Sequence, residues 1–131
     1  MKYINKKLTI ENVKVQNIAK RYGTPAYCYS YNQLKENINN FKKSFKSFSP
    51  LICFAIKSNT NVNLITEIRK LGLGADVVSI GELMKALKAG IKPNKIVFSG
   101  VGKTAEEIKY AINKKILLIN AESKSEINLK I

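Results

Sequence analysis

A lysine that directly follows a wholly apolar run is the residue of this chain best placed for covalent chemistry. Lys57 comes after Leu51-Ile52-Cys53-Phe54-Ala55-Ile56 and before the polar Ser58-Asn59-Thr60-Asn61. Such a run reads as a buried central strand, which puts the amine at the strand's C-terminal end, where barrel enzymes carry their chemistry. An ammonium held against apolar walls has a lowered pKa and becomes a usable amine for a Schiff base. The competing reading is a lysine that marks a strand end and keeps its head in water. Other polar groups stand where neighbouring apolar runs end: Asp76 and Ser79 with Glu82 one turn on, then Ser99, then Asn120, Glu122 and Ser123. In a barrel these would all project toward one mouth, and Ser79 and Ser123 also suit helix caps.

Other chemistries are narrowed by what the chain holds. It has no histidine, which removes the Ser-His-Asp triad, the Cys-His pair and most zinc sites, so no metal site is expected. Ile96-Val97-Phe98-Ser99-Gly100-Val101-Gly102-Lys103-Thr104 imitates a nucleotide-binding P-loop, but that motif needs a glycine where Val97 stands, and the turn is too short to wrap a diphosphate. Gly72-Leu73-Gly74 opens a dinucleotide fingerprint whose third glycine is replaced by Val77. These glycines read better as a helix stop and a turn. Cys28 and Cys53 lie in apolar runs and read as buried thiols, not as a disulfide.

The elements that would position these groups form one repeating pattern of short strand, polar turn and amphipathic helix. Strands are expected at Ala26–Tyr29, Leu51–Ile56, Ala75–Val78, Lys95–Phe98 and Ile116–Ile119. Their starts lie roughly 20 to 25 residues apart, the spacing of strands joined by crossover helices. Helix starts are signalled by Ser30 with Gln33, Ser79 with Glu82, Thr104 with Glu107 and Ser123 with Glu126. Apolar stripes follow at Leu34, Ile38, Phe41 and Phe45, at Leu64, Ile65, Ile68 and Leu71, at Leu83, Ala86 and Leu87, and at Ile108, Ala111 and Ile112. This alternation predicts an α/β fold with a parallel sheet, either open and doubly wound or part of a (β/α)8 barrel, of which the chain would supply about half. Residues 1–25 fit the repeat poorly: Leu8-Thr9-Ile10 and Val13-Lys14-Val15 look like strands of another region, followed by a helical turn at Ile18–Arg21 and the Gly23-Thr24-Pro25 turn.

The formal charge of +14 from 23 basic and 9 acidic residues raises the question of a nucleic-acid partner. The lysines are scattered over every segment, whereas a nucleic-acid footprint gathers on one face, so no such partner is expected. No apolar run reaches the roughly 20 residues of a membrane span, and the N-terminus lacks the apolar block of a signal peptide. The expected location is the cytoplasm, with no membrane partner.

Five blocks, in order, carry a resemblance. Tyr22-Gly23-Thr24-Pro25-Ala26-Tyr27-Cys28-Tyr29, Phe54-Ala55-Ile56-Lys57-Ser58-Asn59, Gly74-Ala75-Asp76-Val77-Val78-Ser79-Ile80-Gly81-Glu82-Leu83, Ile96 to Thr104, and Ile119-Asn120-Ala121-Glu122-Ser123 resemble the opening of the diaminopimelate decarboxylase family, group IV fold-type III enzymes. The resemblance covers nearly the whole chain. It implies an alanine-racemase-like (β/α)8 barrel, with residues 26–131 as its first half, and a β-sandwich domain to which residues 1–25 contribute strands. It implies pyridoxal phosphate on Lys57, and decarboxylation of meso-diaminopimelate to L-lysine with the pyridine ring as electron sink. Asp76, Ser79 and Glu82 match the block beside the cofactor, with Asp76 and Glu82 in supporting, positioning roles. The full-length enzyme is expected to be a homodimer acting on an amino acid.

Ile80 departs from the glycine of many relatives. The family's pyridine-stacking histidine, glycine-rich phosphate site, acidic partner of the ring nitrogen, substrate-binding residues and catalytic cysteine block are expected beyond Ile131. The 131-residue chain is therefore read as an N-terminal part that lacks decarboxylase activity by itself. The alternatives are a relative acting on ornithine, arginine or a carboxylated polyamine precursor such as carboxynorspermidine, and a non-catalytic cofactor-binding barrel protein.

Overall fold

The computed structural model describes residues 1–129, and the chain divides into two compact units, Met1–Ser49 and one that begins at Pro50. The first opens with an antiparallel meander of β1 (Lys2–Ile4), β2 (Lys7–Ile10) and β3 (Val13–Lys14). Ile4 pairs with Lys7 and Ile10 with Val13, so each hairpin turns on two residues. Asn5 and Lys6 supply the first turn with φ of 48° and 60°, the left-handed pair whose twist matches the flanking strands. Helix α1 (Val15–Tyr22) is longer than the single turn expected and takes Val15 from the expected strand.

Ala26–Tyr29 forms no strand, against expectation. Tyr27 is 92% exposed, and the meander ends at β3, so this apolar run has no ladder partner in its unit; without one, an extended segment is not a strand. Helix α2 (Tyr31–Ser44) starts where Ser30 predicts, its hydroxyl accepting from the Gln33 amide. Its expected stripe of Leu34, Ile38, Phe41 and Phe45 exists, but no residue of α2 is buried. The Phe41 and Phe45 rings contact each other instead, 5.0 Å between centroids.

In the second unit β4 (Cys53–Ala55), β5 (Gly74–Val77), β6 (Ile96–Phe98) and β7 (Leu118–Ile119) form a parallel sheet in that spatial order. Helices α3 (Val62–Lys70), α4 (Ile80–Lys88) and α5 (Ala105–Asn113) connect them, and α6 (Lys124–Ile127) follows β7. Strand order decides between the two α/β architectures. A doubly wound sheet reverses its order to cover both faces, whereas successive right-handed crossovers in sequential order lay every helix on one face, as in a barrel.

Burial follows that rule. Ala75, Val77, Ile96 and Phe98 alternate along their strands and are fully buried together with Ile65, Leu83, Ala86 and Ala111 from the helices, with Phe54 and Ile119 packed alongside. Residues of the opposite parity, Cys53, Ala55, Asp76 and Val97, are only half-buried. Each large apolar side chain in this core contributes roughly 1.5–3 kcal/mol of transfer free energy. Gly74 belongs to the packing as well: a Cβ there would collide with the Lys95 carbonyl oxygen. Among the described residues no helix is long and apolar enough to cross a membrane.

Candidate active site

Lys57 lies two residues beyond the last paired residue of β4. The strand ends at Ala55, which pairs with Asp76, and a 3₁₀ turn of Ile56–Ser58 follows. Ile56 is fully buried and anchors this turn, while Lys57 beside it is exposed. The turn is closed by the Ser58 hydroxyl donating to the Ala55 carbonyl at 2.8 Å and the Asn59 amide to the Ile56 carbonyl at 2.9 Å. Asn59 Oδ1 then accepts from the Asn61 amide, and Asn61 Oδ1 from the Asn63 amide as the cap of α3. The polar run after Lys57 is thus spent on two consecutive turns that fix the lysine's backbone.

The described residues leave the Lys57 side chain exposed. No hydrogen bond or ion pair holds its ammonium among the described residues.

The neighbouring strand ends carry a connected polar array. The Ser99 hydroxyl donates to Asp76 Oδ1 at 2.7 Å, and Asn120 Nδ2 donates to Ser99 Oγ at 3.0 Å. The sequence placed all three at strand ends, but nothing in it showed that they are bonded to one another, since each lies more than 20 residues from the next.

Ser79 and Glu82 occupy the first turn of α4. Ser79 Oγ accepts from the Glu82 amide at 3.3 Å, and Glu82 Oε2 accepts from the Val78 amide at 2.9 Å. Ser79 thereby satisfies an amide that the helix start leaves unpaired, and Glu82 the amide just before the cap. A third amide of that turn is met from the next βα unit: Glu107 Oε1 accepts from Ile80 N at 3.1 Å while its Oε2 takes the Thr104 amide at 3.0 Å. These bonds, from the Thr104 amide first and the Ile80 amide second, hold the Glu107 carboxyl below the ordinary glutamate range. The capping box at Thr104 was readable in the sequence; the second arm to Ile80 was not.

Lys103, the lysine of the P-loop imitation, is turned inward. Its side chain is 1% exposed, donates to the Gly100 carbonyl at 2.6 Å and pairs with Glu126 Oε1 at 2.9 Å. The Glu122 amide on its other oxygen, followed by Lys103, lowers the Glu126 carboxyl. A lysine so engaged cannot serve a nucleotide phosphate, which adds a structural reason to the missing glycine. Cys53 is half-buried, its thiol pushed up by burial and then by the Asp76 charge, and Cys28 is exposed, contrary to its expected burial, because the segment around it joins no sheet. Among the described residues no cluster of His, Cys, Asp and Glu could hold a metal ion.

A one-sided parallel α/β sheet with a strand-end lysine and polar groups on successive strand ends defines part of a (β/α)8 barrel with its site at the C-terminal edge. The chain belongs to the pyridoxal-dependent decarboxylase family: its residues 31–130 match that family's pyridoxal-binding domain. Over 112 residues it is 48% identical to diaminopimelate decarboxylase of Helicobacter pylori, covering 86% of this chain and 28% of that enzyme. A crystal structure from Aquifex aeolicus superposes with a TM-score of 0.92 at 44% identity, over 97% of this chain and 31% of that one. Diaminopimelate decarboxylase from Helicobacter pylori complexed with L-lysine superposes with a TM-score of 0.83 at 45% identity, over 87% and 29%. The chain thus spans less than a third of the length of these relatives.

Proposed function

We propose that Lys57 carries pyridoxal phosphate, and that a polypeptide of the relatives' length containing this chain decarboxylates meso-diaminopimelate to L-lysine. The observation that carries the reading is the strand-end lysine, without a partner among the described residues and next in the sheet to the Asp76–Ser99–Asn120 array, in a chain that matches a pyridoxal-binding domain. The residues present fit the aldehyde end of such a cofactor. Lys57 offers a primary amine on a backbone fixed by three hydrogen bonds, and Asp76 stands across from Ala55 at the adjoining strand end. When bound, pyridoxal phosphate supplies an electron sink for the charge left as the carboxylate departs.

The chain's own residues do the positioning. Lys57 holds the cofactor's aldehyde end, and Asp76 orients the amine and its surroundings by hydrogen bonding. Ser79 and Glu82, with Glu107 behind them, set the first turn of α4 and thereby the loop that follows Asp76. The choice of diaminopimelate rests on the relatives' names and on the five sequence blocks. We further infer that residues 1–25 supply strands to a β-sandwich domain and 26–131 the first half of the barrel, and that the enzyme of full length is a cytoplasmic homodimer; the match of residues 31–130 to a pyridoxal-binding domain fits the second of these ranges. In the enzyme of full length, Lys57→Ala is expected to abolish carbon dioxide release from meso-diaminopimelate; turnover that persists with the cofactor attached at another lysine would refute the assignment.

A further inference from the structure

We propose that Ser99 and Asn120 are positioning residues for Asp76, a directed hydrogen-bond relay across three strand ends that fixes how its carboxylate meets the Lys57 site. The inference deepens the reading of Lys57 as the cofactor lysine and rests on it.

Asp76 pairs with Ala55 and with Val97, and Val97 with Leu118, so these residues share one face of the sheet. Ser99 and Asn120 lie two positions beyond Val97 and Leu118. The ladder continues to them, because the Ser99 amide donates to the Val77 carbonyl at 2.8 Å and the Asn120 amide to the Phe98 carbonyl at 2.9 Å. Side chains two apart on a strand point the same way, so Asp76, Ser99 and Asn120 all stand on the face that the helices leave uncovered. Gly100 secures the end of the second strand. It has φ of 91°, a conformation that favours glycine, and its Cβ position lies 3.2 Å from Val78 Cβ.

A serine hydroxyl has one proton and an ionised carboxylate can only accept. The 2.7 Å contact therefore uses the Ser99 proton on Asp76 Oδ1, and the 3.0 Å contact must be donated by Asn120 Nδ2. The direction is fixed from Asn120 through Ser99 to Asp76. Ser79, Thr104 and Ser123 accept from helix amides, but Ser99 and Asn120 start no helix, and their side chains have each other and Asp76 as partners. One Asp76 oxygen is pinned in this way, while Oδ2 makes no hydrogen bond among the described residues and stays available on the face where Ala55 leads into the Lys57 turn.

The test uses the enzyme of full length and a double-mutant cycle of Ser99→Ala with Asp76→Ala, read by the dissociation constant of pyridoxal phosphate from the apoenzyme and by the pH titration of the bound cofactor's absorption band. A hydrogen bond to a charged acceptor at a half-exposed site corresponds to about a tenfold change in affinity. Ser99→Ala is expected to weaken cofactor binding by about that factor and to displace the titration, Ser99→Thr to restore both, and Asn120→Ala to act in the same direction more weakly. In the Asp76→Ala background the Ser99→Ala effect should vanish. An equal Ser99→Ala effect with and without Asp76, or none in either background, overturns the relay. Unchanged melting temperatures of the apoenzymes separate positioning from loss of fold; if Ser99→Ala does not fold, the Asn120→Ala cycle decides in the same way. Borohydride reduction with peptide mapping separates the two readings: a label on Lys57 with an additive cycle sinks the relay alone, and a label on another lysine sinks both.

Discussion

The buried core cluster lies wholly in the unit that begins at Pro50, running from Ile56 to Ala111, whereas Thr9 is the one buried residue among those described in Met1–Ser49. The first unit is organised by polar contacts instead. Glu11 Oε1 accepts from both the Ser30 hydroxyl and the Asn32 amide at 2.8 Å, joining the β2–β3 turn to the start of α2. These bonds, the Asn32 amide foremost, pull the Glu11 carboxyl below its ordinary range. The contrast shows which part of the chain can hold a site by packing. A strand-end array needs strands fixed to fractions of an ångström, and burial on the helix side of the Pro50 unit supplies that rigidity. Local caps alone order helix starts and leave apolar faces such as Phe41 and Phe45 uncovered.

The strongest way to break this comparison is to open the core. Phe98→Ala should cost about 3–5 kcal/mol in the Pro50 unit, seen as a lower denaturant midpoint, while amide exchange in residues 1–49 stays as it was. Loss of protection in both units together would show that they share one cooperative core.

Acid should act next. Glu107 has a depressed carboxyl in the fold, so its stabilisation is complete above the ordinary glutamate value of 4.5 and is lost as pH falls through its lower folded value. Thermal melts of the Pro50 unit should therefore weaken as pH drops below 4.5, and Glu107→Gln should flatten that dependence. A pH profile that Glu107→Gln leaves unaltered would contradict the bond to Ile80. The smallest expected effect is that of Glu11→Ala. It should speed amide exchange at Asn32 and in the first turn of α2 without shifting the melt of the Pro50 unit.

Much of the fold was legible because its signals are local. The four cap serines and threonines, Ser30, Ser79, Thr104 and Ser123, all accept from the amide three residues on, and the apolar runs around Lys57, Asp76, Ser99 and Asn120 end where strands end. The reading failed where the outcome depends on a distant partner. Ala26–Tyr29 has strand composition but no ladder in its unit, and β1 went unrecognised because its three residues are too short to show a period. Lys103 was readable only as the lysine of an incomplete P-loop, and its pairing with Glu126, 23 positions on, left no local signal. Exposure of Lys57 was equally invisible, since an apolar run predicts the strand that precedes a lysine and says nothing of what lies above it.

The most direct test of the central claim is to reduce the cofactor-loaded enzyme of full length with borohydride, digest it and map the pyridoxyl group. A single labelled peptide that contains Phe54 to Asn59, with the modification on Lys57, is expected. A label on any other lysine, with Lys57 unmodified, would contradict it.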